Sequence, residues 1–150
     1  MKSGEMGRST LNAMNNLGSV YNQQGKYSEG EALYKQCLAK RKEILGENHP
    51  DTLSTMSKLA DNYFNQEKYS DGEALYKQCL DKQKATLGEN HPYTLSAMNN
   101  LAANYCNQGK YSDAKILLKQ CLDKKKVVLG DSHPSTIRTK TSLSNLANII

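Results

Sequence analysis

The chain has 150 residues, 20 basic against 15 acidic, giving a net charge of +5, with 37% hydrophobic residues. A mean hydropathy of -0.73 and the lack of any run near the roughly 18 apolar residues of a spanning helix exclude a helical membrane protein. The opening MKSGEMGRST has no apolar core and is not a secretory signal, and four cysteines are too sparse for a disulfide scaffold.

In chain order, residues 1–9 are short, polar and glycine-containing, and are expected to be a disordered lead or expression remnant. From Leu11 the chain copies itself. His49-Pro50, His91-Pro92 and His133-Pro134 are 42 residues apart, as are Cys37, Cys79 and Cys121. Three units result, at 11–52, 53–94 and 95–136, and the first two share 26 of 42 residues. The pattern then restarts with Ile137 and Leu143, so residues 135–150 are expected to form one last, capping helix. A fixed period of this length means a stacked array, because a lone hairpin cannot bury its own apolar face.

Each unit predicts two helices and no strand. Leu53, Met56, Leu59, Ala60 and Tyr63 recur at three- and four-residue steps, the stripe of an amphipathic first helix. The second helix carries Ala74, Leu75, Tyr76, Cys79, Leu80 and Leu87. Gly25 and Gly109 suit a left-handed position in the intervening turns, where unit two has Glu67, at a cost of about 1 kcal/mol. Ser28 with Glu31, and Ser70 with Glu73, have the spacing of a capping box; Lys115 breaks it in unit three. Gly46, Gly88 and Gly130 are expected to end the second helices, and Pro50, Pro92 and Pro134 to fill the first turns that follow. Lysines at 40, 42, 82, 84 and 124–126 suit the negative ends of the second helices.

These residues together resemble a tetratricopeptide repeat array. Unit one supplies Met14, Leu17-Gly18, Tyr21, Gly25-Lys26-Tyr27, Gly30, Tyr34 and Cys37; unit three supplies Met98, Leu101-Ala102, Tyr105, Gly109-Lys110-Tyr111, Ala114, Leu118 and Cys121. The 42-residue period and the LGxxHPxT linker resemble the kinesin light chain subfamily. The resemblance implies an all-α, right-handed α-solenoid of seven helices. It also implies a protein-interaction scaffold, cytoplasmic and not an enzyme, whose first helices line a concave groove for an extended peptide or a partner helix.

A second face of the helical wheel fits such a groove. Unit one offers Asn12, Asn15, Asn16, Ser19, Asn22 and Gln23; unit two offers Ser54, Ser57, Lys58, Asp61, Phe64 and Asn65; unit three offers Ser96, Asn99, Asn100, Ala103, Cys106 and Asn107; the last helix adds Arg138, Thr141, Ser142 and Asn145. Amide side chains both donate and accept, and so can pair with both groups of a peptide backbone. The Asn-Asn-Leu of units one and three resembles the asparagine ladder of the kinesin light chain type. The chaperone-binding subclass clamps a carboxylate with clustered Lys and Arg. Only Lys58 and Arg138 are available here, two units apart, so that clamp is not expected.

Cys37, Cys79 and Cys121 are expected in the core, since neighbouring repeats are too far apart for a disulfide or one zinc ion. Cys106 is expected as a free thiol in the groove, which suits a reducing compartment. The repeated histidines are expected to fill the inter-repeat turn or bond backbone. No metal or cofactor is expected, and no catalytic constellation stands out. A basic stripe on the second helices raises nucleic-acid binding as the alternative, weakened by the acidic residues sharing those helices. Near-identical repeats also permit end-to-end self-association.

Overall fold

The computed structural model describes residues 3–149. Seven α-helices occupy them: α1 Ser3–Gln23, α2 Tyr27–Leu45, α3 Pro50–Asn65, α4 Tyr69–Leu87, α5 Pro92–Asn107, α6 Tyr111–Val128 and α7 Pro134–Ile149. No strand occurs among the described residues. The chain divides into two compact units, 1–75 and 76–150, with the boundary inside α4.

Helix boundaries follow the punctuation of the sequence. Each linker ends on a histidine N-cap and a proline in the first helical turn at α3 and α5. The capping atom is the ring: Nδ1 of His49, His91 and His133 accepts the backbone N–H of Asp51, Tyr93 and Ser135 at 3.0, 3.0 and 3.1 Å. This satisfies a donor that the first turn leaves orphaned. Gly46, Gly88 and Gly130 close the second helices at φ +97°, +94° and +90°. Gly25 and Gly109 sit at φ 78°, and Glu67 takes the equivalent left-handed turn at φ 61°.

Two expectations need correction. Residues 3–9 are helical, not a disordered lead; Met1 and Lys2 lie outside the described residues. The extra turns are supported by α2, which is 19 residues long: Ile44 lies within 3.6 Å of where a Gly7 Cβ would stand, and Arg8 shares a small cleft with Leu45 and Asp51. The Ser28 capping box is also absent. Helix α2 starts one residue earlier, at Tyr27, and its N-cap Lys26 makes no side-chain cap bond. Glu31 is drawn elsewhere, accepting from Gln66 Nε2 at 2.9 Å and Lys68 Nζ at 3.2 Å and pairing with Lys35 at 2.8 Å. Desolvation would raise its pKa, but the hydrogen bonds from Lys35, Gln66 and Lys68 outweigh it and lower the carboxyl to about 2.

In unit 1, α2 packs against both α1 and α3; in unit 2, α6 packs against both α5 and α7. Cys37, Cys79 and Cys121 are fully buried, as the repeat spacing predicts. Cys37 Sγ lies 3.4 Å from the Leu11 carbonyl, and Cys121 Sγ lies 3.6 Å from that of Leu95. The small thiol lets the first helix approach the second closely.

Candidate functional site

A concavity of about 470 Å³ lies between α5 and α7 in unit 2, with Leu118 of α6 also in its wall. From α5 it takes Ser96, Asn99, Asn100, Ala103, Cys106 and Asn107, all six residues that the wheel selects for unit three. From α7 it takes Ser135, Arg138, Thr139, Ser142, Asn145, Leu146 and Ile149. These follow helical spacing, so one face of α7 is presented. Thr141 falls outside that face: it is exposed, and its hydroxyl donates to the Ile137 carbonyl at 3.0 Å.

The wall is rich in amides and hydroxyls. Arg138 is its one charged side chain, and no carboxylate lines it. Beneath it, Lys125 is only 2% exposed and donates to Thr139 Oγ1 at 2.9 Å and the Ser135 carbonyl at 3.4 Å. Burial lowers its pKa, with Arg138 adding to the effect. The helix-end reading of Lys125 missed this role. The clue was its 42-residue equivalence with Arg41. Burial also raises the Cys106 thiol, so it stays protonated at neutral pH. No group of three or more potential metal ligands occurs among the described residues.

The equivalent residues of unit 1 are arranged differently. Asn12 Oδ1 accepts from Arg41 Nη2 at 2.8 Å, and Asn15, 9% exposed, accepts from the Thr55 hydroxyl at 3.1 Å. Asn22 Oδ1 accepts from Asn62 Nδ2 at 2.6 Å. The Ser19 hydroxyl lies 2.9 Å from that of Tyr34. These four side chains are spent inside unit 1. Asn16, Gln23, Ser54 and Asn65 are exposed. Ser57, Lys58, Asp61 and Phe64 are half-buried, and Phe64 meets Tyr69 edge-on at 5.4 Å.

The difference traces to three substitutions at equivalent positions. Where unit 1 has Tyr34, Ser19 and Asp61, unit 2 has Leu118, Ala103 and Asn145, and all three of the latter line the concavity. The Tyr34 phenol reaches Ser19 of α1, and its pKa is raised by burial, with the charge of Asp61 of α3 adding to the rise. Gly18 makes room for it, since a Cβ there would stand 2.9 Å from the ring. Leucine and alanine leave the corresponding space open.

Tetratricopeptide repeat models match residues 10–51 and 52–126. The chain belongs to the tetratricopeptide repeat family. Within it the chain is of the kinesin light chain-like type. A Podosopora anserina structure described as kinesin light chain nearly identical TPR-like repeats is 27% identical, with a TM-score of 0.84 over 97% of this chain and 67% of that one. BtubC from P. vanneervenii is 18% identical, with a TM-score of 0.84 over 92% of this chain and 55% of that one. The first TPR of Spaghetti, bound to an HSP90 peptide, shares the fold at 15% identity and a TM-score of 0.65, over 93% of this chain and 91% of that one. No curated protein matches the chain. No described helix is long and apolar enough to cross a membrane.

Proposed function

We propose that the chain is a non-enzymatic protein-interaction scaffold that holds an extended peptide segment of a partner protein in the α5–α7 concavity. The observation that carries this reading is the wall itself: Asn99, Asn100, Asn107 and Asn145 around about 470 Å³ with no carboxylate. Asn99 Oδ1 also accepts from Cys121 Sγ at 3.7 Å and Asn107 Nδ2 donates to the Ala103 carbonyl at 2.9 Å, but each amide has both donor and acceptor atoms, so the set can donate to peptide carbonyls and accept from peptide N–H groups, which gives affinity with little sequence demand. Arg138 adds a preference for a carboxylate on the ligand. The peptide-bound relative of the same fold supports the class of partner.

Nucleic-acid binding along the second helices is less well supported. Lys35 and Lys68 are paired with Glu31, Lys124 is paired with Glu89, and Lys125 is buried. Salt separates the two readings, because phosphate binding falls steeply with ionic strength.

The test selects peptides from a random library on the intact chain and measures their binding to an Asn99→Ala/Asn100→Ala variant. The expected result is an affinity loss of about tenfold or more with an unchanged melting temperature, since two hydrogen-bonding groups are removed. Equal binding to both proteins would sink the proposal.

A further inference from the structure

The first helix of every unit carries the same four-position stripe: Thr10-Ala13-Leu17-Val20 in α1, Thr52-Thr55-Leu59-Asn62 in α3, Thr94-Ala97-Leu101-Asn104 in α5 and Thr136-Thr139-Leu143-Leu146 in α7. Within the chain this stripe receives a second helix. Thr55 takes Cys37 and Arg41 of α2, Asn62 reaches the Tyr27 carbonyl, and Leu146 clusters with Ala114 and Leu118 of α6. In α1 the same stripe is uncovered. Leu17 is 44% exposed, whereas Leu59 and Leu101 are 3% and 4%; Val20 is 44% exposed, whereas Asn62 and Asn104 are fully buried. Thr10 and Ala13 are exposed too, though Thr52, Thr94 and Thr136 are fully buried.

The chain also writes a pairing rule for this interface. Arg41 meets Thr55, and Lys125 meets Thr139: a buried cation faces a hydroxyl. At the equivalent positions of the remaining pair stand Gln83 and Ala97, both buried, and Gln83 Oε1 has no hydrogen-bond partner. A neutral amide thus accompanies alanine. Alanine lacks the hydroxyl acceptor that lies closest to each buried cation, at 2.7 Å from Arg41 and 2.9 Å from Lys125, and so leaves a desolvated charge short of a partner. Helix α1 has alanine at this position, and at its fourth position it has an apolar residue, as α7 does.

We propose that the Thr10-Ala13-Leu17-Val20 stripe of α1 docks an amphipathic helix of a partner with the pattern Ala-x3-Leu-x2-Cys-x3-Gln. That is the pattern of Ala114, Leu118, Cys121 and residue 125 of α6, with glutamine replacing the lysine. Alanine and leucine cover Val20 as Ala114 and Leu118 cover Leu146, the cysteine packs closely, and the amide lies over Ala13 without burying a charge. Thr10 is placed to donate to the carbonyl of a helix-ending glycine, as Thr52 does to Gly46 at 2.8 Å and Thr94 does to Gly88 at 2.8 Å. The stripe shares no residue with the α5–α7 concavity.

The probe is a labelled synthetic peptide with the sequence of residues 111–130 carrying Lys125→Gln, titrated against the full chain by fluorescence anisotropy. It should bind saturably, and the peptide retaining the lysine should bind about tenfold or more weakly, as expected for a buried charge that has lost its nearest acceptor. Ala13→Thr should reverse that order, and Leu17→Glu should abolish binding of both peptides. Leu17 is exposed, so circular dichroism should show that variant folded with an unchanged melting curve. No binding by either peptide, equal binding of the two, or undiminished binding to Leu17→Glu would each overturn the proposal.

Discussion

The two compact units are built from one 42-residue template, yet they treat the same face in opposite ways. In unit 1 a tyrosine closes it: Tyr34 reaches Ser19, and Asn12, Asn15 and Asn22 are consumed by Arg41, Thr55 and Asn62. In unit 2 Leu118 and Ala103 withdraw, and about 470 Å³ opens among the amides that line it. A repeat scaffold therefore makes a cavity by shortening side chains at two positions of an otherwise shared template. The same two positions that lose packing gain a potential ligand site.

The strongest test of this contrast exchanges the filling residues. Tyr34→Leu with Ser19→Ala should cost unit 1 about 2–4 kcal/mol, the range for a large-to-small change at a buried site. Hydrogen exchange of residues 3–75 should show the loss, and the unchanged unit 2 serves as the internal control. The reverse change, Leu118→Tyr with Ala103→Ser, should abolish capture of peptides selected on the parent chain.

Next in size is the buried cation. Thr139→Val removes the nearer acceptor of Lys125 and should destabilise unit 2 by about 2 kcal/mol in urea denaturation. Because burial lowers the Lys125 pKa in the folded state, its charged form opposes folding. The associated penalty is full below the lowered pKa and fades as pH rises toward 10.5. The parent chain should therefore gain stability over that alkaline window relative to Lys125→Met.

Glu31 should give a smaller and oppositely placed effect. Its folded pKa is about 2 against an ordinary 4.5, so its contribution is fully present above pH 4.5 and is lost as pH falls toward 2. Glu31→Gln should flatten the acid limb of the melting-temperature profile and cost about 1 kcal/mol at neutral pH. Unit 2 has Lys115 at the position equivalent to Glu31, which makes this acid sensitivity a property of unit 1. The smallest effect belongs to Glu67→Gly, which removes a left-handed non-glycine residue and should raise stability by about 1 kcal/mol.

Much of the fold was legible from one sequence because the 42-residue register repeats every boundary signal. Pro50, Pro92 and the closing glycines marked helix ends, and Glu67 betrayed its left-handed turn by standing where Gly25 and Gly109 stand. The α5 half of the concavity was also visible, as a polar stripe on one wheel. The rest was not, because a wheel describes one helix alone. Helix α2 packs on both α1 and α3, so the polar face left to α1 is narrower than its wheel suggests, and Asn15 and Asn22 turn inward. The burial of Lys125 depends on a hydroxyl 14 residues away on α7, a pairing that periodicity within either helix does not reveal. The Ser28 box failed because α2 starts one residue before that serine, which places Ser28 inside its first turn.

The histidine caps carry a final consequence. His49, His91 and His133 each use the same ring atom, Nδ1, to accept the backbone N–H two residues further on. The three bends thus share one cap geometry, and replacing any of these rings by alanine would strip the same acceptor from the start of the helix that follows. Imidazole nitrogen shifts in an NMR spectrum would then report on every joint between hairpins through one kind of signal.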